Sequence, residues 1–162
     1  MAERSASTER RLPSLLDRIT NRKRDEAGGR RLPWLQRYRD SVLADIEALL
    51  NTSCRSSTLE WDEFPEITRS VLNFGITPIS GLTETQLAEG ELERSIATSI
   101  QRFEPRITAG SLIVRKIDST HNAVSFEIRG QLWGPQSPEE IYIRTQVDLE
   151  SGRCDIQDRS RG

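Results

Sequence analysis

Apolar side chains recur every three or four residues in two long stretches, the spacing of an amphipathic helix. The first stretch predicts a helix over about 35–50, with Arg39 among the side chains that face water. Its apolar face is formed by Leu35, Tyr38, Val42, Ile46, Leu49 and Leu50. The second predicts a helix over about 84–103, which Gly90 can break into two pieces. Its buried stripe consists of Leu92, Ile96, Ile100 and Phe103.

Between these helices the pattern predicts one more short helix. Ile67, Val71 and Leu72 fall at helical spacing, and Asn73-Phe74-Gly75 follows them directly. Glycine adopts the left-handed backbone conformation that often ends a helix, so Gly75 is the expected terminator.

After residue 111 the period of the pattern changes from helical to alternating, which is typical of strands. Strands are predicted over about 112–117, 123–133 and 140–149, joined by turns. The inward positions of the second and third strands are Val124, Phe126, Ile128, Leu132, Ile141, Ile143, Val147 and Leu149. The expected fold is α+β, with N-terminal helices packed on one face of a three-stranded antiparallel β-sheet in two layers. The outer strands are edges, and an exposed edge can pair with a strand of another chain.

The pattern divides the chain into three parts. Residues 1–33 are expected to form a flexible arm with a short amphipathic helix, residues 34–152 the α+β domain, and residues 153–162 a polar C-terminal tail. In the arm, Leu12, Leu15, Leu16 and Ile19 make one apolar stripe, followed by a charged linker. This stripe can grip a partner or fold back onto the domain, and the sequence leaves both open.

Composition excludes several classes of function. The formal net charge of -2 over 162 residues gives the whole molecule no electrostatic reason to bind nucleic acid or an anionic membrane. No stretch approaches the roughly 20 apolar residues of a membrane helix, so direct membrane insertion is not expected. Cys54 and Cys154 lie far apart without metal-type spacing, and His121 is the one histidine. We therefore expect a cytoplasmic protein with reduced thiols and without a metal or cofactor.

One short run, Phe103-Glu104-Pro105-Arg106-Ile107, joins the last helix to the first strand. Pro105 cannot continue a helix, and it pushes Glu104 toward extended geometry. In an extended segment, residues two apart point the same way, so Glu104 and Arg106 are expected side by side. This corner can dock a partner, or it can hold an internal ion pair.

A catalytic interpretation starts from carboxylates, because a pair of them can hydrolyse a glycosidic bond. The candidates are Glu104 and Glu127, or the group Glu60, Asp62 and Glu63. Arg106 favours the charged form of Glu104, however, which is the wrong form for a general acid. His121 falls in a predicted turn without a nearby nucleophile, and the glycines lack the context of a phosphate loop.

At this corner the sequence resembles the lysozyme-like baseplate wedge proteins of contractile-tail phages and their bacterial secretion relatives. Three further runs, over 12–19, 70–75 and 125–133, are similar to the TssE branch, the wedge subunits of type VI secretion baseplates. The resemblance implies a non-enzymatic structural subunit in the cytoplasm. Its implied partners are the baseplate proteins TssF, TssG and TssK and the sheath proteins TssB and TssC.

The resemblance also implies where those partners bind. A free sheet edge would accept strands from sheath subunits, so that the domain templates sheath polymerisation. The predicted partner-binding residues are Glu104, Pro105, Arg106, Leu15, Leu16, Asp17, Arg18 and Ile19. One alternative function, taken from the family label, is a peptidoglycan-cleaving muramidase. A second is a soluble adaptor that uses the same fold to bind an unrelated protein.

Overall fold

The first long helix forms where the apolar spacing predicts it. In the computed structural model, which describes residues 34–55, 65–79, 90–120, 122–133 and 138–159, helix α1 runs Trp34–Leu50. It contains neither glycine nor proline, and its inward side chains Val42, Ile46 and Leu49 are almost completely buried. Asn51 follows the last helical residue, and its backbone and side-chain nitrogens both donate to the carbonyl of Glu47.

In the described residues the other helical elements are α2 (Pro65–Arg69), a 3₁₀ turn (Val71–Asn73) and α3 (Glu91–Phe103). Helix α3 starts after Gly90, whose φ of +72° is the left-handed conformation that glycine adopts easily. Glu91 and Glu93 in its first turn and Arg102 in its last turn complement the helix dipole. The break near Gly90 is thus confirmed as the start of α3, while the predicted residues 84–89 lie outside the described part of the chain.

In the part of the chain that the structure describes, four antiparallel strands form one sheet in the order β1-β2-β3-β4. They are β1 (Ile113–Ser119), β2 (Ala123–Leu132), β3 (Glu139–Asp148) and β4 (Cys154–Asp158). The register places Phe126 opposite Thr145 and Ile128 opposite Ile143. A register shift between Lys116 and Asp118 puts a bulge in β1.

The inner face of the sheet packs against α1 and α3 in a two-layer arrangement, which confirms the α+β class. Every predicted inward position of β2 and β3 is buried except Leu149, which is half-buried at the end of β3. In the core, the apolar side chains that recur at helical spacing in α1 and α3 pack against those at alternate positions of β2 and β3.

The predicted three-stranded sheet is one strand too small. Residues 154–158, which the sequence assigned to the polar tail, form β4 on the far side of β3. Cys154 is buried and Ile156 half-buried, so only two apolar residues mark this strand in the sequence. Burial raises the pKa of the Cys154 thiol to about 12, which keeps it protonated and unreactive.

Arg39 does not face water as its helical position predicts. It is only 8% exposed and contacts two carboxylates of the sheet. Its Nε and Nη2 donate to the two oxygens of Asp158 at 3.1 and 2.9 Å, and Nη1 lies 3.4 Å from Glu139. The guanidinium therefore fastens β4 to α1, a role that a single-helix pattern cannot reveal.

The predicted short helix over 67–72 is also different in the structure. It divides into α2 and the 3₁₀ turn, and the turn leaves Val71 and Leu72 80% and 66% exposed. Asn73 is buried instead and donates to the carbonyl of Thr68 at 3.1 Å. Gly75 follows with a φ of +124°, so the positive φ expected of it is present.

Candidate functional site

The corner between α3 and the sheet is a tight turn. Glu104 caps α3 by donating its N–H to the carbonyl of Ile100 at 2.9 Å, and its own carbonyl accepts from Ile107 N–H at 3.2 Å. The Glu104 carboxylate also accepts the N–H of Arg106 at 3.1 Å. The prediction that Glu104 and Arg106 lie side by side is correct, but a turn rather than an extended segment brings them together.

Glu104 and Arg106 form an internal ion pair. Arg106 Nε donates to Glu104 Oε1 at 2.6 Å, and its Nη2 donates to Oε2, so the guanidinium binds both carboxylate oxygens. The Glu104 side chain is only 3% exposed. A partner could reach this carboxylate only by breaking the pair.

The same guanidinium extends the contact to α1. Nη1 of Arg106 donates to Ser41 Oγ at 3.1 Å, and Nη2 pairs with Asp45. Burial by itself would lower the pKa of Arg106, but the hydrogen bonds and charges of Glu104 and Asp45 outweigh that and raise the pKa well above its ordinary value. Arg106 therefore stays charged and joins α1, α3 and the start of the sheet.

The backbone after Arg106 completes the junction. Ile107 forms a bridge with Leu132, Trp133 N–H donates to the carbonyl of Arg106 at 2.8 Å, and Thr108 N–H donates to the carbonyl of Gln131 at 2.8 Å. The corner is thus hydrogen-bonded directly to the end of β2.

The corner presents a small surface to solvent. Pro105 is exposed, and the side chains of Arg106 and Asp45 are 16% and 33% exposed. Asp45 and Ser41 are the corner residues that the sequence interpretation missed. In the sequence they are marked only as two polar residues four positions apart, at the side of the apolar face of a helix.

The other predicted partner-binding residues, Leu15, Leu16, Asp17, Arg18 and Ile19, lie outside the described residues, as does the whole arm 1–33. The same is true of His121 and of the carboxylates Glu60, Asp62 and Glu63. The corner and the sheet are therefore the predicted functional features whose geometry is known.

Glu127 lies on the open face of the sheet, since it alternates with the buried residues Phe126 and Ile128. Tyr142 Oη donates to its Oε2 at 2.7 Å, and Arg129 Nε lies 2.5 Å from its Oε1. The hydrogen bond from Tyr142 and, to a lesser degree, Arg129 lower the pKa of Glu127, because both stabilise the carboxylate.

These contacts do not form a glycosidase site. Glu104 is held on the helix-facing side by Arg106, whereas Glu127 faces away from the helices, so the two carboxylates do not share a cleft. A general acid needs a raised pKa, and the pKa of Glu127 shifts the other way. Among the described residues no group of three or more histidine, cysteine or carboxylate side chains could hold a metal ion.

The lowered pKa of Glu127 predicts how acid affects stability. A carboxylate whose pKa is lower in the folded protein stabilises the fold above its ordinary pKa of 4.5 and loses that contribution as the pH falls through the folded value. We expect Glu127→Gln to lower the melting temperature at pH 7 and to have little effect at pH 3. Melting curves of both proteins between pH 3 and 7 test this; a difference that grows on acidification would contradict the assignment.

A comparison with known protein families identifies the family of this fold. The model of the family described as baseplate wedge protein gp25 matches residues 36–137, which is well over half of the chain. This chain belongs to the gp25 baseplate wedge family. It is the family of TssE, as the resemblance at Glu104-Pro105-Arg106 indicated. Comparisons with curated proteins and with solved structures gave no match.

The match to the gp25 family begins two residues into α1, continues through the corner and β2, and ends before β3 and β4. Membership supports a structural role in a baseplate of the phage or type VI secretion kind. In the described part of the chain no helix is both long and apolar enough to cross a membrane.

Proposed function

We propose that this gp25-family protein is the TssE-like wedge subunit of a type VI secretion baseplate and that it has no enzymatic activity. In this proposal it binds TssF, TssG and TssK and provides the surface on which the sheath proteins TssB and TssC begin to polymerise. The observation that carries the proposal is the corner, where one guanidinium joins α1, α3 and the start of a sheet with exposed edges. Such a junction fixes the sheet relative to the helices, as a template requires.

The internal pairing of Glu104 specifies what the corner can offer a partner. The carboxylate is occupied by Arg106, so docking would use Pro105, the outer edge of the guanidinium and Asp45. The arm 1–33, with its predicted apolar stripe, is the proposed contact for the other wedge proteins. In this proposal the sheet and its corner contact the sheath proteins, and the arm contacts the other wedge proteins.

The decisive experiment separates docking from folding with two variants, one at the corner and one in the core, whose stabilities are measured. Arg106→Lys keeps a cation beside Glu104 but loses the fork that also contacts Ser41 and Asp45. Ile46→Val removes one methylene from the core and should cost about 0.5–1.5 kcal/mol without touching the corner. Both variants are expressed in cells that assemble a fluorescent sheath, and their melting temperatures are measured on the purified proteins.

We expect sheath assembly to fall sharply in Arg106→Lys and to remain near normal in Ile46→Val. If both variants lose sheaths in proportion to their loss of stability, the corner acts through the fold alone. Deletion of residues 1–20 is expected to reduce capture of TssF and TssG while sheath contact by the domain is retained.

A muramidase would have to work without a shared cleft for Glu104 and Glu127. The proposal therefore predicts no clearing of a peptidoglycan suspension by the purified protein. Clearing that disappears in Glu104→Gln would overturn the structural assignment.

A further inference from the structure

The open face of the sheet, which lies away from the helices, carries one arginine for each strand. Arg115, Arg129 and Arg144 belong to β1, β2 and β3, and Arg159 directly follows β4. Each of them alternates with side chains that face the core, so all four lie on the same side of the sheet. These four residues form the arginine row.

Two members of the arginine row flank the same carboxylate. Glu127 of β2 lies directly opposite Arg115 of β1 and Arg144 of β3. Its two oxygens are already bonded, one to Tyr142 and the other to Arg129. In the described part of the chain, no hydrogen bond or salt bridge engages the guanidinium group of Arg115 or Arg144. Glu127 therefore neutralises only part of the positive charge around it.

The other two members lie one position further along the sheet, on either side of Tyr142. The guanidinium carbon of Arg129 lies 5.0 Å from the centre of the Tyr142 ring. On the far side, Arg159 N–H donates to the Tyr142 carbonyl at 2.9 Å, and all three residues line one open depression. The Arg129 side chain is 60% exposed despite its ion pair, and Arg159 is also exposed. Both side chains are therefore accessible to a partner.

The open face is locally positive, although the whole chain has a formal net charge of -2. In the described sheet, the two rows of side chains that hold the arginines contain a single carboxylate, Glu127. The hydrogen bond from Tyr142 lowers the pKa of Glu127 most, and the charges of Arg129 and Arg115 lower it further. An acidic ligand is therefore attracted to these two rows.

The surroundings of the arginine row favour a protein segment over a nucleic acid. Glu140 and Asp155 lie one row beyond the arginines, one at each end, so a long polyanion would meet like charges. The chain as a whole also lacks the positive charge that is typical of nucleic-acid-binding domains. Ile113 lies beside Arg129 on β1 and is 46% exposed, and it offers an apolar contact that a phosphate chain does not use.

The spacing of the strands indicates the shape of that segment. Neighbouring strands are about 4.8 Å apart, so successive arginines are separated by roughly this distance across the sheet. One turn of an α-helix advances about 5.4 Å, whereas two residues of an extended chain advance about 6.6 Å. Carboxylates that recur once per helical turn therefore match the arginine row more closely than carboxylates on one side of a strand.

We propose that the arginine row binds the acidic stripe of a helix in another protein. The helix lies across the strands, its carboxylates pair with Arg115, Arg144 and Arg159, and an apolar residue at one end covers Ile113. This surface differs from the strand edges and from the corner, which lies on the helix-facing side of the sheet. Binding at the arginine row therefore goes beyond the proposed function and does not depend on it.

The test is an NMR titration of the isotopically labelled full chain with a synthetic alanine-based helical peptide that has one glutamate per turn. A second peptide has the same composition, but its glutamates are spread around the helix. Arg144→Gln and Arg159→Gln change the arginine row. Arg37→Gln is the matched control, since it removes the same charge from an exposed position of α1. Amide chemical shifts locate the bound peptide and give its dissociation constant, and the melting temperature of each variant is recorded.

We expect the shifts to be confined to the open face of the sheet and the binding to weaken as the salt concentration rises. Arg144→Gln and Arg159→Gln should each weaken binding by roughly three- to fivefold, the effect of losing one exposed ion pair, while Arg37→Gln has little effect.

Glu127→Gln should strengthen binding of the peptide by roughly threefold, because it removes the carboxylate that competes for Arg129. Loss of stability cannot produce this gain, since the same substitution is expected to lower the melting temperature at pH 7. The Glu127→Gln result thus keeps the proposal falsifiable if an arginine variant fails to fold.

Several outcomes overturn the proposal. Equal affinity for the two peptides, or an equal loss in Arg37→Gln, would show that the attraction is non-specific. Shifts centred on α1, or no binding by the parent chain, would exclude this surface. Tighter binding of a DNA oligonucleotide that is lost in Arg144→Gln would assign the arginine row to nucleic acid instead. Sheath assembly is measured separately, so none of these results alters the test of the proposed function.

Discussion

Replacing Arg106 by alanine is expected to destabilise the domain by about 3–5 kcal/mol, the usual cost of removing one partner of a buried ion pair. The substitution leaves the Glu104 carboxylate, 3% exposed, without the two hydrogen bonds that compensate its burial. It also cuts the contacts from the corner to Ser41 and Asp45 on α1. Urea unfolding followed by circular dichroism measures the loss.

Asp45→Asn is the matched control, since it changes the other carboxylate that Arg106 binds. The Asp45 side chain is 33% exposed, so water can replace much of the lost interaction and the cost should stay below about 1 kcal/mol. Equal losses for Arg106→Ala and Asp45→Asn would show that burial of Glu104 does not dominate the energetics of the corner.

Gly75→Ala is expected to cost about 2–5 kcal/mol, because two penalties act at one position. The φ of +124° is strained for any residue with a Cβ, and that Cβ would lie 2.2 Å from the carbonyl oxygen of Thr52. This oxygen accepts from Ile76 N–H at 2.9 Å, and Cys54 N–H donates back to the Ile76 carbonyl at 2.8 Å. Relieving the clash would therefore break the bridge that ties the 3₁₀ segment to the end of α1.

Gly110→Ala separates the two penalties. Gly110 has a φ of +83°, but a Cβ added there would meet no described atom within 4 Å, so only the backbone strain of about 1 kcal/mol is expected. Thermal melts of both variants give the comparison. If they melt at the same temperature, the close approach of Thr52 to Gly75 carries no energetic weight.

Local patterns predicted those parts of the fold that depend on near neighbours in sequence. The apolar stripe of α1 and the alternation of β2 and β3 each lie within one element. The structure confirms them except at Leu35, which is 39% exposed at the start of α1. The ion pair at the corner was also accessible, because Glu104 and Arg106 are two residues apart with a proline between them. Hydrophobic periodicity is therefore sufficient to predict which face of a single helix or strand is buried.

The sequence could not reveal features that depend on distant partners. Strand β4 carries few apolar residues and is held by Arg39 and Asn51, which lie more than 100 positions earlier in the chain. The contact of Arg106 with Asp45 spans 61 positions, and no local rule selects that carboxylate over its neighbours in α1. Val71 and Leu72 were expected in a short helix, because their helical spacing does not distinguish an α-helix from a 3₁₀ turn that exposes both side chains.

The contacts that hold β4 against α1 can form only late in protein synthesis. Arg39 and Asp158 are separated by 119 positions, so the guanidinium stays without this carboxylate until residue 158 has left the ribosome. Until then β3, with its inward Ile143 and Val147, is itself an unpaired edge. Closing so long a loop is slow, and a nascent chain with an open apolar strand is prone to aggregate. Pausing of translation, or a chaperone bound before residue 154 emerges, would act during the interval in which β3 is still an unpaired edge.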